Sequence, residues 1–392
     1  MLFYAYDPNI ALWQSGGTSK LGVVKNKLHQ VIKNGDSLIG NGWYHEMVIL
    51  PMPGSDSLYY LFTVGVSVPP DYGLWYSVIN INSDSVIQKN IQLQSFLMVD
   101  CLTAVKHGNG RDWWLVFRRW NPNGLPAIDE FHSYLISPGG ITNYSVQHVG
   151  TGNTTNGGQI TFNSDGGKFI FTNLLDLIEQ YDFDRCTGII SNPVTIQPPG
   201  TPPPYYQITW SSAFSLNDNV LYVSTSGSDT SYLYQFDLTA ANIYASRITL
   251  DTFYLPPVSP GALKLAPDGK IYFSCAYDNG FNFNYPYADT MYNYVNMNLS
   301  VINYPDSLGT ACGYAPFSFY LGGKRTYYGL PNNPDYDMPP LAGSPCDTLT
   351  GLTPGPSPKE RGAELFATWV SSWQKLFVNA QNLKGKKVTV EV

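Results

Sequence analysis

Leu265-Ala266-Pro267-Asp268-Gly269-Lys270-Ile271-Tyr272-Phe273-Ser274-Cys275 reads as the end of one strand, a tight turn and a second strand. Pro267 presets φ for the first turn position, Asp268 can bond its own backbone, and Gly269 takes a positive φ that other residues resist. Ile271, Tyr272 and Phe273 supply the β-branched and aromatic content of a buried strand. Variants of that second strand recur at Leu2–Tyr6, Leu58–Thr63, Trp113–Phe117, Lys168–Thr172, Leu221–Thr225, Ile271 onward and Thr326–Leu330, 50–56 residues apart. A repeat of that length signals a propeller or an array.

Between these copies the chain supplies partners. Met47–Leu50 precedes Leu58–Val64, an alternating third strand runs Trp75–Ile81, and Val86-Ile87 opens a fourth. The first two strands of each repeat are the most apolar and the fourth is the weakest. That gradient suits a propeller blade, whose inner strands are buried on both faces and whose outer strands meet solvent. The expected fold is therefore all-β: a seven-bladed β-propeller over 1–333, with helix nearly absent.

Met1–Tyr6 reads as a second strand without its first. Phe317–Leu321 and Thr326–Leu330 read as a last hairpin without outer strands, so the first and last blades are expected to be incomplete. A Pro/Gly-rich linker is expected over 334–363. In 364–392, Leu376–Asn379 and Val388–Val392 read as two strands of a partial β-sandwich, too few to bury a core alone.

Charged residues make up only 13 % of 392 residues, aromatics 15 %, and the net charge is −7. No basic stripe exists beyond Lys384-Gly385-Lys386-Lys387, so nucleic acid is not an expected partner. No run approaches the ~18 apolar residues of a membrane span. Met1–Pro8 lack the charged and apolar regions of a signal peptide, and taken literally the chain as given would stay in the cytoplasm. Cys101, Cys186, Cys275, Cys312 and Cys346 form no CxxC pair, which argues against a zinc or thioredoxin-type centre. Buried thiols are the plain expectation, with a disulfide involving Cys312 or Cys346 open to an oxidising compartment.

Candidate chemistry is thin. His29, His45, His107, His132 and His148 show no metal-ligand spacing. Asp182 and Asp184 lack the other positions of a calcium loop and read as a hairpin turn. Ser164-Asp165-Gly166-Gly167 weakly resembles the Asp-box turn of sialidases, but turn chemistry alone explains it. Asp129-Glu130 is an acidic pair at a strand start without the facing carboxylate a glycosidase needs. Arg118-Arg119-Trp120 could grip an anion, although packing of Arg beside Trp is commoner. No nucleophile elbow or phosphate loop occurs. The reading assigns no catalytic, cofactor-binding or metal-binding residue, and no cofactor.

The phrases Leu265–Tyr272, Tyr181–Gly188, Ile49–Asp56 before Tyr59-Tyr60, and Tyr328–Asn332 resemble the WD-repeat-like propellers of secreted Bacteroidetes proteins over about 1–333. The tail Lys375–Val392 resembles the front half of a type IX secretion C-terminal sorting domain, and Leu352–Gly362 resembles a translated intergenic repeat of bacterial genomes. The resemblance implies a secreted or cell-surface protein in the intact form, with the type IX machinery as partner through the tail. Two functions follow as expectations. One is a non-catalytic propeller that binds an unknown protein or glycan. The other is a propeller hydrolase or lyase of polysaccharide, which would need inner-strand carboxylates converging on the channel, where Val, Ile, Leu and Phe predominate. A third reading is a non-functional gene fragment.

Overall fold

In a computed structural model the chain is described at residues 3–6, 21–40, 45–65, 72–123, 125–200, 207–277, 292–326, 328–347, 365–370 and 375–380. Twenty-three strands precede residue 321, in six antiparallel sheets that follow one another in chain order. The first holds β1 (Phe3–Tyr6), β2 (Leu21–Asn26) and β3 (Leu38–Ile39). The second holds β4 (Met47–Pro51), β5 (Leu58–Gly65), β6 (Gly73–Asn80) and β7 (Ser85–Gln94). The third holds β8 (Thr103–Lys106), β9 (Trp113–Arg118), β10 (Ile128–Ser137) and β11 (Gly140–Asn153). The fourth holds β12 (Gly158–Phe162), β13 (Lys168–Asn173), β14 (Ile178–Phe183) and β15 (Ile190–Gln197). The fifth holds β16 (Gln207–Phe214), β17 (Val220–Gly227), β18 (Thr230–Asp237) and β19 (Ile248–Tyr254). The sixth holds β20 (Val258–Leu265), β21 (Ile271–Tyr277), β22 (Asn298–Ile302) and β23 (Tyr314–Tyr320). Among the described residues, helix is confined to two 3-10 turns, Tyr244–Ser246 and Gly309–Cys312, and no helix is long and apolar enough to cross a membrane.

One turn joins the first and second strands of most sheets. In Leu265–Cys275, Gly269 N donates to Ala266 O and Ala266 N to Lys270 O, both at 2.9 Å, with Gly269 at φ 76°. The same pair of bonds recurs at His107–Asp112, Asn163–Lys168 and Ser215–Val220, with Gly110, Gly166 and Asp218 in the left-handed position. Asp218 tolerates it because a short polar side chain can bond locally; its carboxylate accepts from Ser164 and Asn163 of the preceding sheet's turn.

Apolar clusters lie between successive sheets. Val24, Ile32 and Leu38 of the first sheet and its loop meet Leu61, Ile79 and Val86 of the second. Phe62 and Tyr60 meet Leu115 and Phe117, Val116 and Phe131 meet Phe169 and Phe171, Ile170 and Ile178 meet Phe214 and Leu221, and Tyr222 and Phe253 meet Ile271 and Phe273. Each fully buried aromatic of this kind is worth about 1.5–3 kcal/mol. The first strands β8, β12, β16 and β20 approach one another in turn, and a parallel bridge between His45 and Cys101 ties the approach to β4 to that of β8. Sheets stacked face to face with their first strands converging form a β-propeller.

Two sequence expectations change. The described residues before 321 form six sheets, and Thr326 and 328–330 belong to none, so the seventh copy does not appear as a blade among them. Phe317–Leu321 is not an inner strand paired with Thr326–Leu330; most of it belongs to β23, the outer strand of the sixth sheet, paired with β22. The aromatic spacing could not separate an outer strand rich in Tyr and Phe from an inner one.

The described residues 328–347 belong to no sheet but cross the blades. Tyr328 O accepts from Ala262 N at 2.7 Å and Ser274 Oγ at 2.8 Å. Asn332 Nδ2 donates to Leu102 O and Met47 O, and Tyr336 Oη to Ile49 O. Met338 is buried beside Val105, Leu341 N donates to Gly108 O, and Cys346 is disulfide-bonded to Cys186. The stretch 334–347, which composition reads as the start of a linker, is thus held on the blades. In the tail, β24 (Leu365–Val370) pairs with β25 (Lys375–Ala380). Leu376–Asn379 is a strand as expected, but its partner is β24, and Val388–Val392 lies outside the described residues, as does 348–364.

Candidate functional site

The axis of the propeller gathers groups that a purely structural core would avoid. His45 and Glu46 sit just before β4, and Asp100 just before β8. Leu102 N donates to His45 O, and Asp100 N to Asn156 O at 2.7 Å, which holds the entries to β4, β8 and β12 together. The Asp100 carboxyl contacts the Glu46 side chain, which favours its charged form. Burial drives the Asp100 carboxyl well above the usual carboxylate range, against the pull of that contact.

The other walls are basic and aromatic. Burial pulls His45 down to about 4, with Asn332 opposing and Lys264 assisting, so the ring is neutral near pH 7. Lys264, on β20, donates from Nζ to Asn333 O at 2.6 Å, and burial lowers its ammonium to about 8 despite Asp335. Trp210 of β16 packs at 5.3 Å on Tyr328. His45, Asp100, Trp210 and Lys264 are only half-buried although protein surrounds them, as expected for groups on a channel wall. Among the described residues no group of three or more His, Cys, Asp and Glu side chains is placed to hold a metal ion.

A second buried charged network joins the third and fourth sheets. Glu179 accepts from Thr151 N at 2.9 Å, from Thr151 Oγ1 and Thr195 Oγ1 at 2.8 Å, and from Tyr181 Oη. Burial pushes this carboxyl up, but the four donors outweigh it and hold it below its ordinary range. Arg118 is fully buried with its guanidinium 4.3 and 4.4 Å from the Phe131 and Phe171 rings. Its Nη2 donates to Ile128 O and Thr151 O, while Nε and Nη1 find no partner.

The residues weighed in the sequence fall mostly outside the axis. Asp182 pairs with Lys168 and Asn192, Asp184 caps its turn at Cys186 and Thr187, and Asp165 accepts from Gly167 N: all three serve turns and hairpins. Asp129 bonds His148 across the third and fourth strands of one blade, and Glu130 meets His132 of the third strand and Arg119 just past the second. His132 is buried, its Nδ1 2.7 Å from Tyr144 Oη, and burial lowers its pKa. His107 braces the turn that receives Cys186, through Cys186 O. Arg118 is a packing residue rather than an anion grip. His29 lies at a turn with φ 64°. A cleft of about 310 Å³ lined by Asn26, Leu28, Ile32, Ile79 and Asp84 lies between the first two sheets, away from the axial groups.

Glu46, Asp100 and Lys264 are not among the candidates the sequence offers; Glu46 and Asp100 lie just before β4 and β8, and the strands β4, β8, β12, β16 and β20 carry no carboxylate, as the sequence reads. A signal was present. Glu46, Asp100, Asn156, Trp210 and Lys264 recur at intervals of 54 or 56 residues, one in each repeat, against an apolar background.

No protein-family model matches the sequence, and no curated protein matches it either. Among solved structures, the chain is similar to a periplasmic gluconolactonase of Pseudomonas aeruginosa, with TM-score 0.45, 12 % identity, and 76 % of this chain and 77 % of that one covered. It is similar to a putative 6-phosphogluconolactonase of Bacteroides fragilis, with TM-score 0.43, 12 % identity, and 73 % and 74 % covered. A Lactobacillus plantarum protein gives TM-score 0.41 and 13 % identity, with 83 % of this chain and 96 % of that one covered. Likenesses this distant assign the chain no activity and no substrate.

Proposed function

We propose that this chain is a ligand-binding β-propeller that takes a small polar ligand, such as a glycan end, at its axis. The observation that carries the reading is the Glu46–Asp100 carboxyl pair, next to His45, which in turn feels the charge of Lys264. Buried ionisable groups cost stability unless paired, and here they cluster where blades converge rather than where blades pack. Carboxyl oxygens can accept from sugar hydroxyls, Lys264 can meet an anionic group, and the Trp210 indole offers an apolar face. Placement outside the cytoplasm, with type IX export through the tail, is supported by the Cys186–Cys346 disulfide and by the resemblance of Lys375–Val392 to a sorting domain.

A second reading is hydrolysis at the same site, favoured by the raised Asp100 carboxyl beside Glu46, since two adjacent carboxyl groups can supply a general acid beside a general base. Glycan-array binding and turnover of a polysaccharide panel separate the two, using the wild type beside Asp100→Asn and Glu46→Gln. Binding weakened by both variants, without turnover, fits the first reading. Turnover that both variants abolish fits the second. Binding unaffected by either removes the axis from the function.

A further inference from the structure

We infer that residues 328–347 form a redox-controlled clasp over the axial site, latched by the Cys186–Cys346 disulfide. The clasp touches the site's own groups: Asn332 bonds His45 while also donating to Met47 O and Leu102 O, Asn333 O holds Lys264, and Tyr328 lies against Trp210. It then leaves the axis over β4 and β8 and ends at the turn between β14 and β15, where Cys186 lies.

Nothing along the way is a sheet ladder. The attachments are single bonds: Tyr336 Oη to Ile49 O at 2.8 Å, Arg185 Nη2 to Pro339 O at 2.7 Å, and Leu341 N to Gly108 O at 2.7 Å. A segment held by isolated bonds and few buried side chains belongs to the least stable part of a structure, so a covalent latch at its far end decides how long it stays down. Cys346 and Cys186 are half-buried, within reach of an attacking thiolate. A dithiol reductant opens the latch by exchange: its thiolate attacks one sulfur, the mixed disulfide resolves, and two electrons and two protons leave Cys186 and Cys346 as thiols while the reductant becomes a disulfide. Freed at that end, the clasp withdraws Asn332 and Asn333 from His45 and Lys264. Cys101, Cys275 and Cys312 are buried thiols and take no part; burial raises the pKa of each.

The functional consequence rests on the axial-site reading, but its test needs no ligand. Hydrogen exchange is followed in the full chain, oxidised, reduced with dithiothreitol, and as the Cys186→Ser/Cys346→Ser double variant. On reduction and in the variant, exchange in 328–347 rises at least tenfold more than exchange in β8–β9 and β12–β15. Unchanged protection of 328–347 in the reduced chain overturns the clasp. Equal loss of protection in the clasp and the blades also overturns it, since the disulfide then only stabilises the fold. Failure of glycan binding alone, with the clasp released as stated, refutes the axial site and leaves the clasp standing.

Discussion

Replacing Glu179 with Gln changes one atom and reverses the chemistry of a buried junction. Glu179 Oε1 accepts from Thr151 Oγ1 and Thr195 Oγ1, and Oε2 accepts from Thr151 N and Tyr181 Oη. An amide leaves one oxygen to accept and sets an NH2 donor against two donors. The backbone Thr151 N cannot rotate away, and hydrogen bonds to a charged group are worth about 1.5–3 kcal/mol each. Hydroxyls can turn and recover part of this, so the net cost is about 3–5 kcal/mol, a large share of a domain's ~5–15 kcal/mol. The pH dependence is a second check. Glu179 is depressed in the fold, so its contribution is complete above the unfolded value of about 4.3 and is lost as pH falls through the folded value. Urea unfolding followed by tryptophan fluorescence at pH 7 and again below pH 4 measures both effects. The variant should unfold several kcal/mol more easily at pH 7, and the gap should narrow in acid. A gap under ~1 kcal/mol, or one that ignores pH, refutes the assignment of this carboxylate as the junction's acceptor.

Four other outcomes follow from named contacts. Asp100 keeps its proton to a higher pH in the fold than in the unfolded chain, so its contribution is present below about pH 4 and declines as pH rises; urea titrations of Asp100→Asn should show a flatter loss of stability toward pH 8 than the wild type. The Cys186–Cys346 bridge closes a loop of 160 residues, for which chain entropy sets a ceiling of about 5 kcal/mol; the Cys186→Ser/Cys346→Ser variant should lose about 2–4 kcal/mol in oxidising buffer and match the wild type once both are reduced. A Cβ at Gly261 would stand 2.3 Å from Tyr328 O, so Gly261→Ala should destabilise the chain by ~2 kcal/mol or more in calorimetry, through displaced clasp and inner strand. Limited proteolysis of the oxidised chain should spare 328–347, and cleavage there before any other site would contradict the docking of Tyr336 and Met338.

Much of this fold is legible in order along the chain. Pro267-Asp268-Gly269 and its counterparts fix turns by local backbone preference, and Tyr59–Phe62, Trp113–Phe117 and Phe169–Phe171 mark second strands by β-forming, buried side chains, so sheet after sheet falls near its expected place. Local signals do not say which strand of a blade an aromatic run occupies: Phe317–Leu321 reads as inner, and tertiary pairing with β22 makes it mostly outer. Nor does composition say whether Pro-rich chain is bound: Asp335–Asp347 is polar and rich in proline, yet Tyr336, Met338 and Cys346 find partners on three different blades. The axial site is the extreme case. Glu46, Asp100 and Lys264 are unremarkable in their own segments, and only the convergence of first strands on one axis sets Glu46 beside Asp100 and Lys264 near His45. Sequence therefore determines the strands and turns, which depend on neighbours along the chain. Tertiary structure decides the raised Asp100 carboxyl beside Glu46, the latch between Cys186 and Cys346, and the depression of Lys264, because each depends on groups distant in sequence being brought together.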